Sequence, residues 1–446
     1  MSFPRYPKYK ASGVEWPRAL PEHWRTTPLK TVATHNDDVL DENTPPDEEI
    51  LYVDISGVDG VNGIKGKEPM LFANAPSRAR RRVRHGDVII STVRTYLRAI
   101  ACVREPEDNL IVSTGFAVVR PRSDLVSSFA GHALSASYFV EQVIARSTGV
   151  SYPAINASDL VAIPILVPPR EEQTKIASFL DRETAKIDEL VREQRRLIEL
   201  LKEKRQSVIS HAVTKGLNPH VPVKPSGIEW LGDVPEHWET RTIAKASSKI
   251  TNGFVGPTRD ILVESGTPYI QATHIKKGRV NFDDGYFVTP EWSKSHAKSI
   301  LTEGDVLIVQ TGAGTGDVGL VGRNEVGFNC HALIIVTCLD ELLSGSFLAA
   351  VLQSDFGHQT LESIQTGGMH PHLNCGNVKY VEVPIPPKTE QAEIVAHINQ
   401  MTETFDALTA EAERGIELLQ ERRTALISAA VTGQIDVREL VETEAE

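Results

Sequence analysis

The stretch IELLKEKR, Ile198 to Arg205, returns as IELLQERR, Ile416 to Arg423, 218 residues further along a chain of 446. Working outward, AVT at Ala212 to Thr214 matches AVT at Ala430 to Thr432 with the same offset. Pro153, Asn156, Pro168, Pro169, Glu172 and Gln173 recur as Pro371, Asn374, Pro386, Pro387, Glu390 and Gln391. HGDVIIS (His85 to Ser91) is echoed by EGDVLIV (Glu303 to Val309). Nearer the start, SGVEW (Ser12 to Trp16) and PEHW (Pro21 to Trp24) return as SGIEW (Ser226 to Trp230) and PEHW (Pro235 to Trp238), offset by 214. Two copies are too few for a solenoid, so a whole module has been duplicated in tandem.

Each module opens with about 150 residues rich in Gly, Pro and short β-branched runs such as DVIIST and DVLIVQT, which read as strands and turns of a mixed α/β domain. A double proline follows, and then a long proline-free stretch, about Glu171 to Thr214 and Glu390 to Thr432, which reads as one helix. A heptad seam is predicted through Ile176, Leu180, Glu183, Ile187, Leu190, Gln194, Leu197, Leu201, Lys204 and Val208. Its counterpart runs through Ile394, Ile398, Met401, Phe405, Leu408, Ala412, Gly415, Leu419, Arg422 and Leu426. The alternative is an amphipathic helix lying on its own domain. At 1.5 Å per residue such a helix would extend about 66 Å, longer than the domain is wide.

The expected class is therefore α+β: two tandem mixed α/β domains and two long helices in an antiparallel, pseudo-twofold coiled coil. The expected boundaries are 1–170 and 216–388 for the domains, 171–215 and 389–434 for the helices, and 435–446 for an acidic tail.

Composition is that of a soluble globular protein, with 41% apolar and 24% charged residues. No apolar run reaches the roughly 18 residues of a membrane span, and MSFPRYPKYK leads into no signal-peptide core. Cys102, Cys330, Cys338 and Cys375 form no CxxC pair, which suits reduced thiols in a cytoplasm. A formal net charge of −12 argues weakly against nucleic acid, but DNA responds to local potential.

A tandem pair opening with GVEW…PEHW, a GDV strand, a PP…EQ…I helix entry and an LLKEKR…AVT helix end resembles the specificity subunit of Type I restriction–modification systems. The resemblance covers essentially the whole chain. It implies two target-recognition domains, each reading half of a bipartite double-stranded DNA sequence. It also implies helices that space those domains and dock two methyltransferase subunits, with motor-nuclease (restriction) subunits completing the enzyme.

Catalytic motifs are missing from the sequence. The double prolines lack the Asn/Asp-Pro-Pro-aromatic context of an adenine methyltransferase, and there is no GxxxxGK[ST] loop. S-adenosylmethionine, ATP and magnesium are thus expected on partner subunits. A nuclease would need acids and a lysine on adjacent strands, and a purely structural adaptor would leave the arginines unexplained. Gly314, Gly316 and Gly319 stand in GxGxxG spacing but precede a strand, so a hairpin loop is expected rather than a dinucleotide site. His370, His372 and Cys375 suggest zinc, yet the duplicated positions are Tyr152, Ala154 and Ala157, and no metal is expected.

The strongest candidate for DNA contact is Ala73 to Arg104, with eight arginines against the single acid Asp87. The candidates there are Arg78, Arg80, Arg81, Arg82, Arg84, Thr92, Arg94, Tyr96 and Arg98, joined by Tyr152. Arginine forks suit phosphates and base edges, although a charge run can equally be a solvated face. In the second module the candidates are Gln271, Thr273, His274, Lys276, Lys277 and Arg279, with Gln310, Thr315 and His370. The acids Asp37, Asp38, Asp41, Glu42 and Asp47 to Glu49, and the tail from Asp436, are expected to face solvent or a partner.

Overall fold

A computed structural model describes residues 3–60, 63–368 and 371–440. It divides into two compact units, Met1–Gln194 with Arg414–Glu446, and Arg195–Glu413. The division cuts both long helices, Arg170–Lys215 and Lys388–Val431, so each unit holds the start of one helix and the end of the other.

In unit one, a four-stranded antiparallel sheet orders Ile100–Cys102, Val88–Ser91, Phe116–Pro121 and Ala33–His35. The strand VIIS is buried at all four residues because both faces are covered. Side chains alternate along a strand, so Val88 and Ile90 join the core shared with the helices while Ile89 joins a second core. Behind that second core lies a sheet of Glu68–Leu71, Glu49–Val53, Leu110–Ser113 and Ala79–Arg82. Unit two repeats the plan. Val306 and Ile308 face the helix-side core, and Leu307 and Val309 the other, in a six-stranded sheet.

The PP…EQ motif is where each domain is fastened to its helix. In unit one the buried Gln173 accepts the Val126 N–H at 2.8 Å and donates to the carbonyls of Asp124 and Pro168. Gln391 repeats all three bonds in unit two, with Ser344, Leu342 and Pro386. The PEHW motif supplies a second fastening. Glu172 is buried and accepts from Trp24 Nε1 at 3.0 Å and from Tyr6, with His23 at 2.7 Å.

Within each unit the helix segments run antiparallel. In unit one Asp188 pairs with Arg423, and Ala430 and Val431 lie in the core that holds Ile176 and Leu180. In unit two Arg205 pairs with Asp406, and Ile209 to Val213 share a core with Ile394 and Ile398.

The predicted seam is corrected on one side. Leu180, Ile187, Ile398, Phe405 and Leu426 are buried as expected. Leu190, Leu197 and Leu408 are more than two-fifths exposed. Beside Leu190 and Leu197 the next residues along, Val191 and Ile198, are buried instead, as Thr184 and Thr402 are beside Glu183 and Met401, while Ala412 is buried as expected. Both registers alternate threes and fours. Leucines on either side of the true seam made the two indistinguishable by hydrophobicity. Of the tail acids expected to face solvent or a partner, Asp436 pairs with Arg438 at 2.6 Å beside the fully buried Val437; residues 441–446 lie outside the described residues.

The corrected register predicts that Ile198→Ala lowers stability by about 2 kcal/mol or more, against about 0.5 kcal/mol for Leu197→Ala. Urea midpoints of the two variants check this, and the reverse order restores the original seam. Gly415 sits inside the second helix with nothing within 4 Å of an added Cβ. Gly415→Ala is expected to stabilise by about 0.5–1 kcal/mol, read as a higher midpoint in the same titration.

Candidate nucleic-acid interface

In unit one the chain leaves the central strand at Ser91 and is caught at once. The Thr92 N–H and hydroxyl both donate to the Gly115 carbonyl, at 2.8 and 2.9 Å. The Thr92 carbonyl accepts from Ile155, and the Arg94 N–H donates to Pro153 at 2.8 Å. Val93 bridges Ala154, which also bridges Thr148. Arg94 and Arg98 both adopt left-handed backbone, φ +51° and +53°, bracketing a single turn that exposes Tyr96 and Leu97. The Arg94 guanidinium lies 4.7 Å from the centroid of the exposed Tyr152 ring.

Unit two builds the same joint from different side chains. Leu373 donates to the Gln310 carbonyl at 2.8 Å, and Thr311 bridges His372, which bridges Thr366. Gly312 stands where Arg94 stands. The Thr315 hydroxyl donates to Gly312 at 2.7 Å inside the hairpin loop between Val306–Val309 and Val318–Leu320. The glycine-rich stretch thus leads into a strand, as the hairpin reading expects. His370 lies outside the described residues. Cys375 bonds Asn252, and the four cysteines are free thiols.

The arginine run is not a bare cationic face. Arg78 pairs with Asp54 (2.9 Å), Arg82 with Glu48 (3.8 Å), Arg84 with Asp38 (2.6 Å), Arg98 with Glu141 (2.6 Å) and Arg104 with Asp181 (2.8 Å). Arg80 stacks over Phe72. Arg81 is half-buried with an unpartnered Nη1, and burial lowers its pKa. Burial pushes the Asp54 carboxyl up, but the Ser56 hydroxyl and N–H together with Arg78 hold it below the ordinary range. Of the acids expected to face solvent or a partner, Asp37, Asp38 and Glu48 thus pair with arginines of the same unit. Arg94 has no carboxylate within ion-pair distance among the described residues.

Not all second-module candidates gather. His274 is buried; its Nδ1 accepts from the Gln271 N–H at 2.9 Å, so it holds a turn together. Thr273 is exposed beside it. Lys276, Lys277 and Arg279 lie on the hairpin at the sheet edge, with Arg279 opposite Leu320. Leu320 is at the far end of its strand from Gln310 and Thr315, so these cations form a separate group.

Sequence reasoning missed an aromatic cluster in unit two. The Trp292 and His296 rings stack at 4.0 Å, Phe254 stands edge-on to both at 5.1 Å, and Tyr269 and His331 close the group. His331 follows strand Asn329–Cys330 in the turn that leads to Leu333, and Leu333 is opposite Val309. This turn is therefore beside Gln310. The cluster draws on positions 254 to 331, and only the sheet brings them together.

A family model described as Type I restriction modification DNA specificity domain matches residues 83–200 and 230–418. The EcoKI specificity subunit of Escherichia coli K12 is 22% identical over 326 residues, covering 71% of this chain and 68% of the relative. The MjaIX specificity subunit of Methanocaldococcus jannaschii is 22% identical over 359 residues, covering 79% and 78%. A chain in a solved structure of the type I R-M system superposes with a TM-score of 0.74 at 24% identity, over 93% of this chain and 99% of that one.

Proposed function

Because this chain belongs to the Type I restriction modification DNA specificity domain family, we propose that it is the DNA-reading subunit of a Type I restriction–modification enzyme. Each recognition domain reads one half of a bipartite target. The observation that carries this reading is the duplicated joint after the central strand, one backbone frame fitted with Arg94 and Tyr152 in one unit and Gly312 and Gln310 in the other. A constant frame with changed side chains is what two half-sites of different sequence require. The chain is not the catalyst; S-adenosylmethionine, ATP and magnesium are bound by methyltransferase and motor-nuclease partners in the cytoplasm.

Arg94 is the candidate for base contact in unit one. Its fork has no carboxylate within ion-pair distance among the described residues and lies over the Tyr152 ring, and a guanine edge offers O6 and N7 to such a fork. Arg98 is tied to Glu141 and suits a phosphate. Methylation-site mapping with the assembled methyltransferase tests this. Arg94→Ala is expected to relax one guanine position in one half-site and cost about 1–3 kcal/mol there. Arg98→Ala should weaken binding uniformly and flatten its salt dependence. An unchanged site and affinity for Arg94→Ala would sink the assignment.

The long helices carry matched exposed leucines, Leu190 with Leu408 and Leu200 with Leu418, each pair 218 residues apart. Apolar side chains repeated at equivalent positions suit two copies of one partner, the methyltransferase. Leu190→Glu with Leu408→Glu should reduce the bound methyltransferase from two copies toward none in native mass spectrometry, while circular dichroism stays unchanged. Full occupancy in the double variant places the partner elsewhere.

A further inference from the structure

Two of the three cations left aside by the recognition loops belong to a different feature. Lys277 and Arg279 line a cleft of about 670 Å³ inside unit two, together with Arg205 and Arg323. Such a volume falls within the roughly 300–1,000 Å³ of small-molecule sites. Arg205 is also held by Asp406 and Arg323 by Glu303, but neither acid lines the cleft. Glu325, the one lining carboxylate among the described residues, is engaged by the Gly322 N–H at 2.8 Å. Lys277 and Arg279 have no carboxylate partner among the described residues. Leu320 and Ile398 give the cleft an apolar wall.

The duplication shows what chemistry this place takes. In unit one the equivalent position on the first long helix is Asp181, whose Oδ1 accepts from Arg104 at 2.8 Å and meets His132 Nε2 at 2.9 Å. Adding 218 converts Asp181 to Asn399, His132 to Ala350 and Arg104 to Gly322, and all three line the cleft. Unit one fills this place with an ion pair and an imidazole of its own. Unit two has lost all three groups, and four cations from other positions, Arg205, Lys277, Arg279 and Arg323, line the gap between sheet and helices.

We propose that this cleft is an anion site for a phosphate-bearing ligand of nucleotide size, distinct from the recognition loops and independent of the function proposed above. Guanidinium forks match phosphate oxygens in pairs, and the Leu320–Ile398 wall accepts a base or other flat apolar group. The phosphate could belong to a free nucleotide or to a nucleic-acid backbone, and the experiment separates the two.

Isothermal titration of the full chain with inorganic pyrophosphate and with ADP is expected to show one site per chain, ADP binding the tighter. Asn399→Asp restores the unit-one carboxylate and should weaken both ligands at least tenfold. Lys277→Ala with Arg279→Ala should do the same, by removing exposed side chains that the core does not need. Competition by a short duplex lacking any target site names nucleic-acid phosphate as the source; no competition names a free nucleotide. Absence of binding at millimolar ligand, or equal binding by the wild type and both variants, overturns the proposal.

Discussion

Each unit's core is completed by the end of the long helix that belongs to the other half of the sequence. Leu426, Ile427, Ala430 and Val431 are buried against residues of the first module, and Ile209, Ala212 and Val213 against residues of the second. Fully burying an aliphatic side chain contributes about 1.5–3 kcal/mol, so the exchanged helix ends are a large share of what holds either unit closed. Proline, which would remove an intrahelical hydrogen bond and kink the chain, is absent from both helices.

The approach of the exchanged helix end is governed by one glycine per unit. Gly433 and Gly216 follow the helices with φ of +70° and +75°. A Cβ on Gly433 would lie 2.4 Å from Pro21, and one on Gly216 would lie 3.3 Å from Trp238. The PEHW motif thus forms the platform on which the far helix ends. In unit one Glu172 meets both Trp24 and His23 of that platform, and in unit two Glu390 keeps His237 at 2.7 Å while the buried Trp238 Nε1 has no partner among the described residues. The frame is shared and its satisfaction is not.

The same contrast runs through the candidate interface. The bond from the Ile155 N–H to the Thr92 carbonyl is repeated from Leu373 to Gln310, and the Thr148–Ala154 pair is repeated by Thr366 and His372. The side chains they present are not. Backbone pairing depends little on side-chain identity, so the frame tolerates replacement of Arg94 by Gly312 or of Asp181 by Asn399. Recognition can therefore change while the scaffold remains closed.

The duplication, the long helices, the proline starts and the alternating strands were legible in the sequence, because each rests on local periodicity or on direct comparison of the two halves. Arg94 and Tyr152 were legible as candidates by residue type. Which leucines face the seam was not, since a shift of one residue leaves a leucine-rich helix looking equally amphipathic, and only the partner surface chooses between Leu197 and Ile198. Nor could the sequence tell that Asp38, Glu48 and Asp54 neutralise the arginine run, that His274 is a buried strut, or that Phe254, Trp292 and His331 meet. Those facts depend on contacts between residues far apart in the chain, which the sheets decide by bringing distant strands within hydrogen-bonding distance.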